Sequence, residues 1–268
     1  MTKDEAVTLL IDEWSTIDKL LEQLTPQQWA TPSALPGWSV QDVVSHIVGA
    51  ELGLAGHQPP LDKDVRALPH VRNDIGALNE HWVESLRSAS PAEVHRRFRE
   101  ITATRAETLQ SMSEEDFHAP SWTPAGQDTY ARFMRIRLFD CWMHEQDIRD
   151  AVGIPGNETG PSAETSLDEI SVALGYIVGK RAAAPNGSSV TFTLNGPTER
   201  TIHVAVEGRA KVIDTLPRPA TTSLTMSSTT FTRLTGGRIP VEVGASQTTT
   251  EGDKELADRV MFALPFTI

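Results

Sequence analysis

Between Phe133 and Ala151 this 268-residue chain sets two carboxylates and an imidazole on a helical stripe that is otherwise apolar, and no other feature constrains its fold as much. At about 100° per residue, Asp140, His144 and Asp147 share one narrow sector with Phe133, Ile136 and Ala151. Such a sector packs against a core. An unpaired carboxylate or imidazole there costs on the order of several kcal/mol, so these groups require a metal ion or compensating charges.

The single cysteine, Cys141, excludes an internal disulfide framework and a Cys-rich zinc finger, which leaves histidines and carboxylates as metal ligands. Cys141 sits about 100° around the helix from Asp140 and reads as core packing, with no adjacent base to make it a nucleophile. A net charge of −12 argues against nucleic acid or an anionic membrane surface as partner and points to small molecules. No run of about 18 apolar residues is present, and the first residues open an amphipathic helix rather than a secretory signal. The expected compartment is the cytoplasm.

Composition changes near residue 155, because all six tryptophans precede it and β-branched, Thr-rich stretches follow. Two domains are expected, a helical one over 1–155 and an α+β one over 156–268. In the first, Ala6, Leu10, Trp14, Ile17, Leu21 and Leu24 recur at helical spacing. Ser39 with Asp42 three residues later starts a second helix through about Leu54, and helices follow at about 73–87, 91–112 and 129–152, the last stopping at Gly153. In the second domain Ser162 is the expected cap of a helix. Val190–Leu194 and Thr201–Val206 alternate as a hairpin, with short strands near 211–214, 223–226 and 247–250 and helices at about 228–234 and 253–264.

His46, on the second helix, is the natural third ligand beside Asp140 and His144, since metal sites form between facing helices of a bundle. Gly49, Ala50 and Gly53 on its side of that helix would leave room for a close helix contact or an ion. Two imidazoles and one carboxylate leave open positions, as catalytic zinc sites require. Asp147 is placed to accept the imidazole N–H or to position Arg149 or a substrate. The competing interpretation pairs Asp140 with Arg137 and lets both histidines satisfy core hydrogen bonds. Trp38 and Trp142 are candidates to line the pocket, with core packing as the alternative. His57, His70, His81, His95 and His118 are expected on loops or polar faces, in water.

The stretch from Leu35-Pro36-Gly37-Trp38-Ser39 to His46, followed by Asp140-x-x-x-His144-x-x-Asp147-Ile148-Arg149, resembles the mycothiol-dependent maleylpyruvate isomerase family, within the wider DinB-like metal-binding bundles. Further on, Phe231–Arg238 and Gly252–Ala257 look like signature stretches of a sterol-carrier-protein-like domain. The resemblance implies a multi-domain fold: a DinB-like four-helix-type bundle, then a sterol-carrier-like α+β domain. It implies zinc on His46, Asp140 and His144, with mycothiol binding through sulfur at the open position. The family's isomerase carries a glutamate where this chain has Asp140, so the carboxylate here is one methylene shorter.

Asp147 and Arg238 are the candidate catalytic residues, and Trp38 and Arg149 the candidate cofactor-binding ones. Arg238 would bind an anionic part of substrate or thiol across the domain interface, unless it is a surface or structural arginine. The leading expectation is a metal-dependent enzyme that isomerises a small electrophilic acid by reversible thiol addition, or transfers the thiol to an electrophile, as a monomer or dimer. One alternative is a non-enzymatic small-molecule or lipid-binding protein whose metal is structural or absent. Another is a non-haem iron oxygenase, against which stands that such sites are usually built on a β-barrel.

Overall fold

The predicted helical spacing near the start of the chain forms α1 (Lys3–Leu21), which buries Leu10, Trp14, Ile17 and Leu21 and is capped reciprocally by Thr2 and Glu5. The structure, a computed structural model, describes residues 2–267. A one-turn helix, α2 (Pro26–Trp29), precedes α3 (Val40–Leu54), where the Ser39 hydroxyl accepts the Asp42 amide and the Asp42 carboxylate accepts the Ser39 amide. Asn73 caps α4 (Asp74–Leu86) and Ser90 caps α5 (Pro91–Ser111). After the single turn α6 (Glu114–Phe117), a hairpin of β1 (Pro120–Thr123) and β2 (Gly126–Thr129) feeds into α7 (Tyr130–Val152). Gly153 ends α7 at φ 70°, a left-handed conformation that glycine adopts without a Cβ clash.

Two compact units divide the chain, Met1–Gly156 and Asn157–Ile268. In the first, α1 packs on α5 and α7, and α3 packs on α5 and α7, so the four long helices close a bundle, with α4 set against α3. Its core is built by Leu10, Ile17, Val43, Ile47, Phe98, Leu138 and Cys141. This ring of helices is what turns the inner faces of α3 and α7 toward each other.

In the second unit, α8 (Pro161–Tyr176) begins at Pro161 after Gly160, not at a Ser162 cap. Proline at the first helical position loses no hydrogen bond and comes with its φ preset, so the helix starts there. Strands β3 (Ser189–Asn195), β4 (Arg200–Glu207), β5 (Arg209–Ile213) and β6 (Thr222–Ser227) precede α9 (Ser228–Thr235) and α10 (Val241–Ser246). Strand β7 (Thr249–Gly252) and α11 (Lys254–Ala263) complete the unit. The sheet order is β5-β4-β3-β6-β7, with β3 and β6 parallel and the other pairs antiparallel. Alternation along β3 and β4 puts Val190, Phe192, Ile202 and Val204 in the core, with the Phe192 ring tilted against that of Phe231 at a centroid distance of 5.8 Å. The chain is thus a helical bundle followed by an α+β unit. Among the described residues no helix is long and apolar enough to cross a membrane.

Candidate metal centre

Helices α3 and α7 bring His46, Asp140 and His144 together, each offering one donor atom within 4.8 Å of the others. His46 Nε2 lies 3.3 Å from Asp140 Oδ2, and His144 Nε2 lies 3.6 Å from Asp140 Oδ1. These two separations, to different oxygens of Asp140, are close to the roughly 3.3 Å edge of a tetrahedron with metal–ligand bonds of about 2.0 Å, while the three donors taken one atom each lie within 4.8 Å. Two imidazoles and a carboxylate are donor types that suit a divalent ion. Asp147, one turn beyond His144, places Oδ2 3.0 Å from His144 Nδ1, so the second ring nitrogen is engaged and Nε2 is left turned to Asp140. The Nδ1 of His46 has no hydrogen-bond partner among the described residues, so the engaged nitrogen of that ring is also the one facing the cluster.

Their carboxylate partners separate the two imidazoles electrostatically. Removal from water holds the His46 pKa below the ordinary histidine value despite the pull of Asp140. For His144, burial works in the same direction, but the charges and hydrogen bonds of Asp140 and Asp147 outweigh it and raise its pKa. Burial also opposes ionisation of Asp140, yet Arg137, His144 and His46 hold it well below the usual carboxylate range. The Asp140–Arg137 pairing weighed in the sequence is real at 2.6 Å, and it coexists with the cluster rather than replacing it.

Trp38 forms one wall. Its ring centroid lies 5.3 Å from that of His46 and 6.4 Å from that of His144, and the two imidazoles meet edge-on at 4.8 Å. The indole is aimed by Glu80, a fully buried carboxylate that accepts from Trp38 Nε1 at 2.7 Å, pairs with His70 Nε2 at 3.0 Å and accepts from Arg87 at 2.7 Å. The turn that presents Trp38 closes through the Trp38 amide on the Leu35 carbonyl at 3.1 Å.

Of the two uses expected of the space at Gly49, the close helix contact is the one present: Trp82 Cβ on α4 would stand 2.3 Å from a Cβ there, which leaves no room for an ion. Two of the histidines need correction. His70 and His95 are partly buried and paired, with Glu80 at 3.0 Å and Asp18 at 2.6 Å, instead of solvated. A charged partner on a neighbouring element draws each ring inward, which position along the chain does not reveal.

Arg149 bonds Glu145 at 2.6 Å and the Ile154 carbonyl at 3.2 Å, at the end of α7. Arg238 belongs to the second unit, where it donates to the Gly236 carbonyl and the Thr267 hydroxyl. Trp142 is buried, and so is Cys141, whose thiol burial pushes up out of the reactive range. Arg105 escaped the sequence reading, as did two buried glutamates, Glu51 and Glu80. Their signal is a carboxylate at a buried helical spacing: Val44, Val48 and Glu51 on α3, and Ala77, Glu80 and Val83 on α4.

These features define a two-unit protein whose first unit is a helical bundle with a His/Asp/His cluster between two of its helices. Residues 10–149 match the family model described as mycothiol maleylpyruvate isomerase N-terminal domain, and residues 164–259 match the MDMPI C-terminal domain. The chain belongs to the mycothiol maleylpyruvate isomerase family. In fold it is similar to the crystal structure of the mycothiol-dependent maleylpyruvate isomerase, with a TM-score of 0.60 at 15% identity over 94% of this chain and 93% of that one. A mutant of that isomerase matches equally well. Uncharacterized proteins from two strains of Mycobacterium tuberculosis are 24% identical over 143 residues, 53% of this chain and 54% of theirs. The chain thus spans about half the length of the curated relatives it matches.

Proposed function

We propose that His46, Asp140 and His144 hold a divalent ion, zinc by choice of donors, and that the protein is an enzyme that uses mycothiol as nucleophile toward a small electrophile. The observation that carries this reading is the convergence of three donors from two helices within 4.8 Å. Bound there, the ion would supply a Lewis acid that stabilises a thiolate near neutral pH. The chain's own groups prepare the site. Burial disfavours the protonated form of His46, and Asp147 holds the His144 ring with Nε2 toward the cluster. Trp38 walls one side and restricts water.

The family supports mycothiol as the thiol and an isomerase or a related S-transferase as the activity. In the isomerase reading a small electrophilic acid such as maleylpyruvate undergoes cis–trans isomerisation; in the transferase reading the thiol stays on the electrophile.

Metal content of the untagged protein, beside His46→Ala and His144→Ala, is the test. One zinc per chain in wild type, lost in both variants while the fold persists, supports the reading. A thiol that then shifts the absorption of the cobalt-substituted protein supports the open position. No metal in reconstituted wild type sinks the proposal and leaves a sterol-carrier-like small-molecule or lipid binder.

A further inference from the structure

Behind the cluster runs a chain of buried charges that the proposed chemistry does not use. Glu51 is fully buried on α3 and divides its carboxylate, with Oε1 accepting from Arg137 Nε at 2.9 Å and Oε2 from Arg105 Nε at 3.0 Å. Arg105 also donates to the Tyr130 hydroxyl at 2.6 Å, and Arg137 donates to Asp140 Oδ2 at 2.6 Å. Arg137 thus divides its positive charge between Glu51 and Asp140, the carboxylate of the ligand triad. Asp147, the other carboxylate at the centre, is engaged with His144 Nδ1.

From this arrangement, and resting on the metal-centre reading above, we infer that Arg137 is a positioning residue that makes the centre select an anionic ligand at its open position. A divalent ion would find Asp140 already shared with a guanidinium, so the centre stays short of negative charge until its ligand supplies it. Arg137 is only 5% exposed and cannot swing into water without leaving Glu51 half-paired. Its NH1 also restrains Asp140 Oδ2, so that Oδ1 is the oxygen facing His144. Thiolates and carboxylates are the favoured class; water, amines and neutral imidazoles are not.

Cobalt-substituted wild type, Arg137→Met and Arg137→Lys, titrated with thiocyanate and separately with imidazole and followed by visible absorption, test this without any turnover. Removing one charge several ångströms from the ligand at an effective dielectric of about 20 should weaken thiocyanate by about tenfold or more. Imidazole binding should not change in Arg137→Met, and Arg137→Lys should keep the preference for the anion. A purely structural role for Arg137 would move both ligands together. Should Arg137→Met fail to fold, Arg137→Gln removes the same charge while still bonding Glu51 and Asp140. An unchanged ratio of the two affinities in cobalt-loaded variants overturns the inference alone. Wild type that binds no cobalt overturns it together with the metal-centre reading.

Discussion

Asp147 Oδ2 stands 3.0 Å from His144 Nδ1, with Asp147 1% exposed and a single helical turn separating the two residues. A carboxylate there fixes the tautomer, rotation and basicity of the ring at once. Asp147→Ala should lower zinc affinity by about 10–100-fold, and Asp147→Asn by less, because the amide oxygen still accepts the ring N–H. Competition against a chromophoric chelator measures both. Equal affinity in wild type and Asp147→Ala would remove the orienting role.

Glu80 gathers Trp38, His70 and Arg87 around one buried carboxylate. Glu80→Ala leaves Trp38 and His70 without this acceptor and should cost about 3 kcal/mol, toward the low end for a broken buried pair because Arg87 keeps Glu84 at 2.8 Å and reaches water. Urea denaturation reads the loss. Trp38 is then free to leave the imidazoles, so its fluorescence should also lose sensitivity to metal binding.

At Gly49 the limit is steric. A Cβ would come within 2.3 Å of Trp82 Cβ and 2.4 Å of its Cγ, and neither atom belongs to a flexible chain end. Gly49→Ala should destabilise the bundle by about 1–3 kcal/mol through overpacking. Gly53→Ala, where the nearest atom is Trp82 Nε1 at 3.9 Å, should be tolerated. Thermal unfolding of the pair separates them; equal midpoints would contradict the packing described.

Asp18 joins α1 to α5 through His95 at 2.6 Å and Arg99 at 2.7 Å. Burial works against its charge, but both partners outweigh that and lower its pKa below the ordinary aspartate value. A carboxylate depressed in the folded state contributes stability that is fully present above its unfolded pKa and is lost as pH falls through the folded one. Asp18→Asn should therefore cost about 1 kcal/mol or less near neutral pH, the scale of ion pairs that water reaches, and should flatten the acid limb of the stability curve below about pH 4. Parallel curves for wild type and variant across that range would show that the pairs contribute nothing.

Much of the bundle was legible along the chain because its signals are local. The Ser39–Asp42 capping box, the periodic apolar face of α1 and the Gly153 stop each act within a few residues. The β1–β2 hairpin and helices α2, α6 and α10 were not read, since four to six residues with little alternation carry almost no periodic signal. The Ser162 cap was a competition between two local rules, which the proline one residue earlier won.

At the centre, sequence alone determined that Asp140, His144 and Asp147 share one helical face, because 3.6 residues per turn sets which side chains align. It also supplied a second helix bearing His46. Only the tertiary structure decided that α3 and α7 pack with those faces together, that Trp38 is aimed at them by Glu80, and that Glu51 stands behind the Arg137–Asp140 pair. Those are contacts between residues up to 94 positions apart. Such pairings follow from how whole helices bury their apolar faces against one another, and buried charges then take whichever partners that packing brings within reach.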